Sequence, residues 1–119
     1  MKLVLVVDDD RDIRDSLIEL LEDHGYAAIG ASNGVEAIEA LRACEAPPCL
    51  ILLDLMMPVM DGGAFRAEQL RHPAWADIPV IVISAFGDIA AQAETLATDY
   101  LRKPLATRPL LAAVQRCCG

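Results

Sequence analysis

The sequence predicts an α/β fold, a doubly wound parallel sheet of five strands with five helices. Three observations predict it. Apolar runs of strand length alternate with segments of helical periodicity, at spacings of roughly 20 residues. The runs Cys49–Leu53 and Ile78–Ile83 show no in-out alternation, the pattern of strands covered by helices on both faces. Four of the runs end in polar residues: Asp8-Asp9, Asp54, Ser84 and Lys103.

The elements follow in order. Leu3-Val4-Leu5-Val6-Val7 is an apolar strand that stops at Asp8-Asp9-Asp10. Arg11 to His24 has helical period, with Ile13, Leu17, Leu20 and Leu21 on one face and Arg14, Asp15, Glu19 and Glu22 on the other. Asp10 is its expected N-cap and Gly25 its C′ residue, with His24 in the last turn, where positive charge suits the helix end. Tyr26 to Ala31 is a short strand. Ser32-Asn33-Gly34 opens a second helix, expected to bury Val35, Ile38 and Leu41. Ala46-Pro47-Pro48 breaks the chain before the central strand, which Asp54 closes. Gly63 to Arg71 is a third helix, and His72 before Pro73 is expected to be a solvated loop residue. The strand Ile78–Ile83 ends at Ser84-Ala85. Asp88 to Ala97 reads as a short helix with Ile89, Ala93 and Leu96 inward. Tyr100-Leu101-Arg102 is the last strand and runs into Lys103-Pro104. In the final helix Thr107 is the expected cap, Pro109 is tolerated in the first turn, and Leu110, Val114 and Cys117 form the apolar side.

At 119 residues there is room for one domain, residues 1–119, with one core. The formal net charge of −8 argues against direct binding of nucleic acid or an anionic membrane. No apolar run reaches the roughly 18–20 residues that span a bilayer, and the N-terminus lacks a signal-peptide cleavage pattern. A cytoplasmic protein is therefore expected. Cys44 and Cys49 flank a Pro-Pro turn and Cys117 and Cys118 are adjacent, so neither pair has zinc-site spacing. All four are expected to be small buried or terminal thiols.

In a parallel sheet with right-handed crossovers, all strand carboxyl ends lie on one edge. That edge collects Asp8, Asp9, Asp54, Ser84 and Lys103. Crowded carboxylates repel one another unless a hard divalent cation or a lysine relieves them. Mg²⁺ suits a site with few carboxylates plus phosphate oxygens and water. A carboxylate can itself be the nucleophile and form an aspartyl phosphate, with metal and lysine balancing the phosphoryl charge. Asp10 fits better as a helix cap than as a member of this set. Asp54 is harder to explain structurally, because an unpaired carboxylate closing a buried strand is costly.

Over its whole length the chain resembles the receiver domain of two-component response regulators, a flavodoxin-like fold with strand order 2-1-3-4-5. The matching segments are Val6-Val7-Asp8-Asp9, the loop Leu53-Asp54-Leu55-Met56-Met57-Pro58-Val59-Met60-Asp61-Gly62, Val82-Ile83-Ser84-Ala85, and Asp99-Tyr100-Leu101-Arg102-Lys103-Pro104. The resemblance implies that Asp54 accepts a phosphoryl group from a phosphohistidine on a sensor histidine kinase or a histidine phosphotransfer protein. Asp9, Asp54 and the Met56 backbone carbonyl would hold Mg²⁺, with Asp8 acting largely through water. Lys103 would contact the phosphoryl group, Ser84 and Tyr100 would form a switch pair, and the Lys103-Pro104 bond would be cis. Output to an effector protein or a fused output domain would leave from the fourth helix, fifth strand and fifth helix. Such a protein is a regulator rather than an enzyme.

Three departures from the family pattern stand out. The interval from Ser84 to Lys103 is about three residues shorter than usual for the family, and Leu96 stands where glycine is common. Met56 and Phe86 are apolar at positions that in the family govern water access, which predicts slow self-dephosphorylation. Two other readings compete: an aspartate-nucleophile phosphatase, which would usually carry an aspartate at the position of Met56, and a pseudo-receiver that binds without phosphorylation. The chain ends about one residue past its last helix, which fits a stand-alone receiver or one trimmed from a larger regulator.

Overall fold

β-Branched and leucine side chains make β1 (Leu3–Val7) and β3 (Leu50–Asp54) the buried centre of the sheet, and every residue of β3 is buried. The computed structural model describes residues 2–54, 60, 62–84, 99–102 and 106–119, without the side chains of residues 62, 84, 99, 100 and 102. Within them lie β2 (Ala27–Ala31), β4 (Val80–Ser84) and β5 (Asp99–Arg102), and all five strands join one parallel sheet in the order β2-β1-β3-β4-β5. Four helices are described: α1 (Arg11–Asp23), α2 (Gly34–Ala43), α3 (Gly62–Arg71) and the C-terminal α4 (Thr107–Cys118). The expected helix Asp88–Ala97, the Lys103-Pro104 bond, Leu96 and Phe86 lie outside the described residues.

Period-two geometry splits the continuous apolar strands between two cores. Leu5, Val7, Ile51, Leu53, Val80 and Val82 pack with α2 and α3 through Ala37, Ile38, Leu41 and Phe65. Val4, Val6, Leu50, Leu52, Ile81 and Ile83 pack with α1 and α4 through Leu17, Leu21, Leu110, Ala113 and Val114. No helix among the described residues is long and apolar enough to cross a membrane.

The helix ends follow local chemistry. Asp10 caps α1 as expected, its carboxylate accepting from the amides of Asp12 and Ile13 at 3.0 and 3.2 Å. Gly25 takes φ +88°, the left-handed conformation of a C′ residue. His24 Nδ1 lies 2.9 Å from the Leu20 carbonyl, so the ring tends a free helix-end carbonyl. Asn33 caps α2 by accepting from Glu36 N, and Glu36 reaches back to accept from Ser32 N, each at 2.9 Å. That bond from the Ser32 amide, with the Ser32 hydroxyl, holds the Glu36 carboxyl below the usual glutamate range.

The structure corrects four expectations. In α2 the inward stripe is Gly34, Ala37, Ile38 and Leu41. Val35 sits on the flank of that stripe and is 41 % exposed rather than buried. His72 lies in the loop as expected but is not freely solvated: its ring packs on Trp75 at 4.2 Å between centroids, and its Nε2 meets Glu68 at 3.0 Å. Thr107 is already helical, so Ala106 occupies the cap of α4, without a side-chain bond. Finally, Cys49 and Cys118 are not thiols but a disulfide, with 5.4 Å between their Cα atoms. In a parallel sheet α4 returns to the edge where β3 begins, which brings residues 69 apart into bridging range. Cys118, with Ala113, joins Leu110 and Val114 on the buried side of α4, while Cys117 is half-buried.

Candidate functional site

β1 and β3 are neighbours, with Val7 opposite Leu53, so Asp8 and Asp54 stand side by side where these strands leave the core. Asp8 is fully buried and Asp54 is 4 % exposed, whereas Asp9 is exposed. One carboxylate oxygen from each of the three lies within 4.8 Å of the other two. The sequence-predicted acidic cluster thus forms, from residues 46 positions apart, at the carboxyl edge of the sheet.

Several bonds hold the β1–α1 turn in place. Asp8 N donates to the Ala31 carbonyl at 3.0 Å, extending the β1–β2 pairing by one residue. Its Oδ1 accepts from Asp10 N at 2.9 Å, and its own carbonyl accepts from Arg14 Nη1 at 2.9 Å. Arg14 can reach because β2 offers glycine at the crossing: a Cβ on Gly30 would come within 2.9 Å of Arg14 Cδ. Sequence reasoning left Arg14 among the polar outward residues of α1. The available signal was Gly30 itself, since glycine inside a strand marks close approach.

A similar close contact involves the loop that follows Asp54. Gly34 N donates to the Met60 carbonyl at 3.0 Å, and a Cβ on Gly34 would lie 2.7 Å from that of Met60. The loop that leaves Asp54 is thereby seated on the N-terminus of α2 at its one described residue.

β4 and β5 run parallel to β3 and end at the same edge. Asp54 pairs with Ile83, and Ser84 is the next residue along β4. Ser84 pairs with Arg102, the residue before Lys103, and Val82 pairs with Tyr100. The Ser84 and Tyr100 side chains, and all of Met56 and Lys103, lie outside what is described.

Three hard oxygen donors suit a hard cation such as Mg²⁺ or Ca²⁺ and not a thiophilic metal. Asp54, the last residue of β3, is itself almost buried, at 4 % exposure.

The sequence from Val4 to Gln115 matches the family model of the response regulator receiver domain, residues 4–115. The chain belongs to that family. This receiver domain is 41 % identical over 115 residues to the response regulator MprA of Mycobacterium ulcerans, covering 94 % of the chain and 48 % of that protein. It is 40 % identical to MprA of Mycobacterium tuberculosis, with coverage of 94 % and 48 %. The chain therefore spans about half the length of the curated relatives it matches. Among solved structures, the receiver domain superposes on the Vibrio cholerae chemotaxis protein CheY4 with a TM-score of 0.89 at 28 % identity, covering 98 % of each chain. It superposes on the Thermotoga maritima response regulator TrrA, solved in complex with Mg²⁺-BeF, with a TM-score of 0.85 at 29 % identity, covering 98 % of this chain and 99 % of that one.

Proposed function

We propose that residues 1–119 form a single receiver domain that accepts a phosphoryl group on Asp54 from a phosphohistidine. The donor is a cytoplasmic sensor histidine kinase or histidine phosphotransfer protein. The observation that carries the proposal is the convergence of Asp8, Asp9 and Asp54, two of them buried, within 4.8 Å at the carboxyl edge of a receiver fold. The solved complex of TrrA with Mg²⁺-BeF supports it by likeness.

In the proposed transfer an Asp54 carboxylate oxygen forms the new P–O bond as the P–N bond to the donor imidazole breaks. Asp9, Asp54 and the Met56 carbonyl would hold Mg²⁺, with Asp8 acting largely through water. Such an ion would supply charge neutralisation for the phosphoryl oxygens in the in-line transition state. Lys103 adds a second positive charge. Ser84 then donates to a phosphoryl oxygen and Tyr100 turns inward behind it, shifting the population of an output surface read by an effector protein or a fused output domain. Apolar Met56 and Phe86 keep water off the acyl phosphate, so the phosphorylated state is long-lived and the domain acts as a regulator rather than a catalyst. The charge of −8 supports a protein partner over direct contact with nucleic acid.

Incubation with acetyl phosphate and Mg²⁺, followed by intact mass measurement, tests this. One added phosphoryl group, lost in Asp54→Asn and on chelation of Mg²⁺, is the expected result. Steady release of inorganic phosphate would instead point to a phosphatase, and no adduct to a pseudo-receiver.

A further inference from the structure

We propose that Cys49 and Cys118 form a reversible, redox-controlled crosslink that fastens the last turn of α4 to the start of β3, at the opposite end of the central strand from Asp54. Four observations converge on it. The two Cα atoms are 5.4 Å apart, within the ordinary range for a disulfide. The helix does not depend on the bond for its place, because Leu110, Ala113 and Val114 are all buried against the sheet. The two residues differ in exposure: Cys118 is 4 % exposed, whereas Cys49 is half-buried. Both border an open cleft of about 630 Å³, whose walls also carry Cys44 and Cys117. All four cysteines of the chain therefore line one cleft, two of them outside the disulfide.

The co-reactant is a low-molecular-weight thiol and its disulfide, RSH and RSSR. The Cys49 thiolate attacks one sulfur of RSSR, whose S–S bond breaks and releases RS⁻. The Cys118 thiolate then displaces the second RS⁻ from the mixed disulfide. Two protein thiols are oxidised, one RSSR is reduced to two RSH, and the two protons pass to the leaving thiolates. Reduction retraces these steps. Closure pins the last helical turn to β3, and opening frees it while the rest of α4 stays packed. Crosslinks of this kind in a reducing compartment are typically transient and sensory.

The experiment equilibrates the 119-residue chain in buffers of graded reduced and oxidised glutathione, quenches with acid, and labels free thiols with a maleimide. Four labels are expected under reducing conditions and two under oxidising ones, with a single reversible transition, and a non-reducing digest should recover the Cys49–Cys118 peptide. Cys49→Ser should carry its three remaining labels at every ratio. The oxidised wild type should melt roughly 10 °C above the reduced form, since a loop of this length is held closed in the unfolded chain. Cys49→Ser should show no such difference. Four labels at every ratio would overturn the proposal. So would a bond that survives the highest thiol excess, or a map that yields Cys117–Cys118 or a crosslink between two chains. None of these readouts involves phosphorylation, so failure here leaves the role of Asp54 untouched.

Discussion

Arg14 donates to the backbone carbonyl of Asp8 at 2.9 Å, with its side-chain stem lying across the bare Cα of Gly30. A residue on the second turn of α1 thereby sets the main chain beside a buried carboxylate of the acidic pocket. Gly30→Ala should displace the stem and loosen the turn, costing about 1 kcal/mol, the usual worth of a hydrogen bond. Mg²⁺ affinity, measured by calorimetry, should fall several-fold in Gly30→Ala and in Arg14→Ala. The double variant should be no weaker than either single one, because both remove one and the same contact.

Gly34 and Met60 touch where the loop after Asp54 lands on α2. Gly34→Ala forces a Cβ against the Met60 side chain and should cost roughly 1–3 kcal/mol, the range for overpacking. Met60→Ala clears that space. In the Gly34→Ala background it should recover part of the loss in urea denaturation, where additive costs would show that the two residues do not compete for room.

Gln69 is fully buried, although helix position alone gives it no reason to be. Its Nε2 donates to the Trp75 and Ile78 carbonyls at 2.8 and 3.2 Å, while Arg66 Nη1 donates to its Oε1 at 2.8 Å. The amide thus ties the turn between α3 and β4 to the helix. Gln69→Leu fills the volume but strands two carbonyls and should destabilise by about 2 kcal/mol. Arg66, whose burial lowers its guanidinium pKa, also loses a partner in that variant. Chemical denaturation of wild type and variant at matched pH gives the difference directly.

Glu36 supplies a pH-dependent contribution. The Ser32 amide and hydroxyl hold its carboxyl below 4.5 in the folded protein. A carboxyl with a depressed folded pKa adds stability that is fully present above its unfolded value and disappears as pH falls through the folded one. The stability gap between wild type and Glu36→Gln should therefore hold at neutral pH and shrink in acid below about 4.5. Salt should narrow it as well, because the group is exposed. Urea midpoints on both sides of that pH check the sign.

The sheet was legible in the sequence because β3 and β4 are covered on both faces, which leaves uninterrupted apolar runs that few other arrangements produce. The acidic pocket was legible for a related reason: a carboxylate closing such a run has nowhere to sit except the strand's exit. What escaped prediction depends on phase or on distance. Val35 lies one residue off the inward stripe of α2, and a rotation smaller than helical periodicity resolves turns a buried position into a 41 % exposed one. The Cys49–Cys118 bond joins residues 69 apart whose meeting depends on where α4 ends. Arg14 and Gln69 serve main-chain carbonyls, and no local pattern marks a polar side chain destined for that task.

All five residues of β3 are walled in on both faces. Asp54, the last of them, keeps only 4 % exposure, at the carboxyl end of the strand. If Asp54 is the phosphoacceptor proposed above, a donor would meet surface turns such as the start of α1, where Arg11 and Asp12 are exposed, rather than the hydrophobic layers. Rewiring this module to a new donor should require changes at the doorway alone, leaving the masonry behind it as it stands.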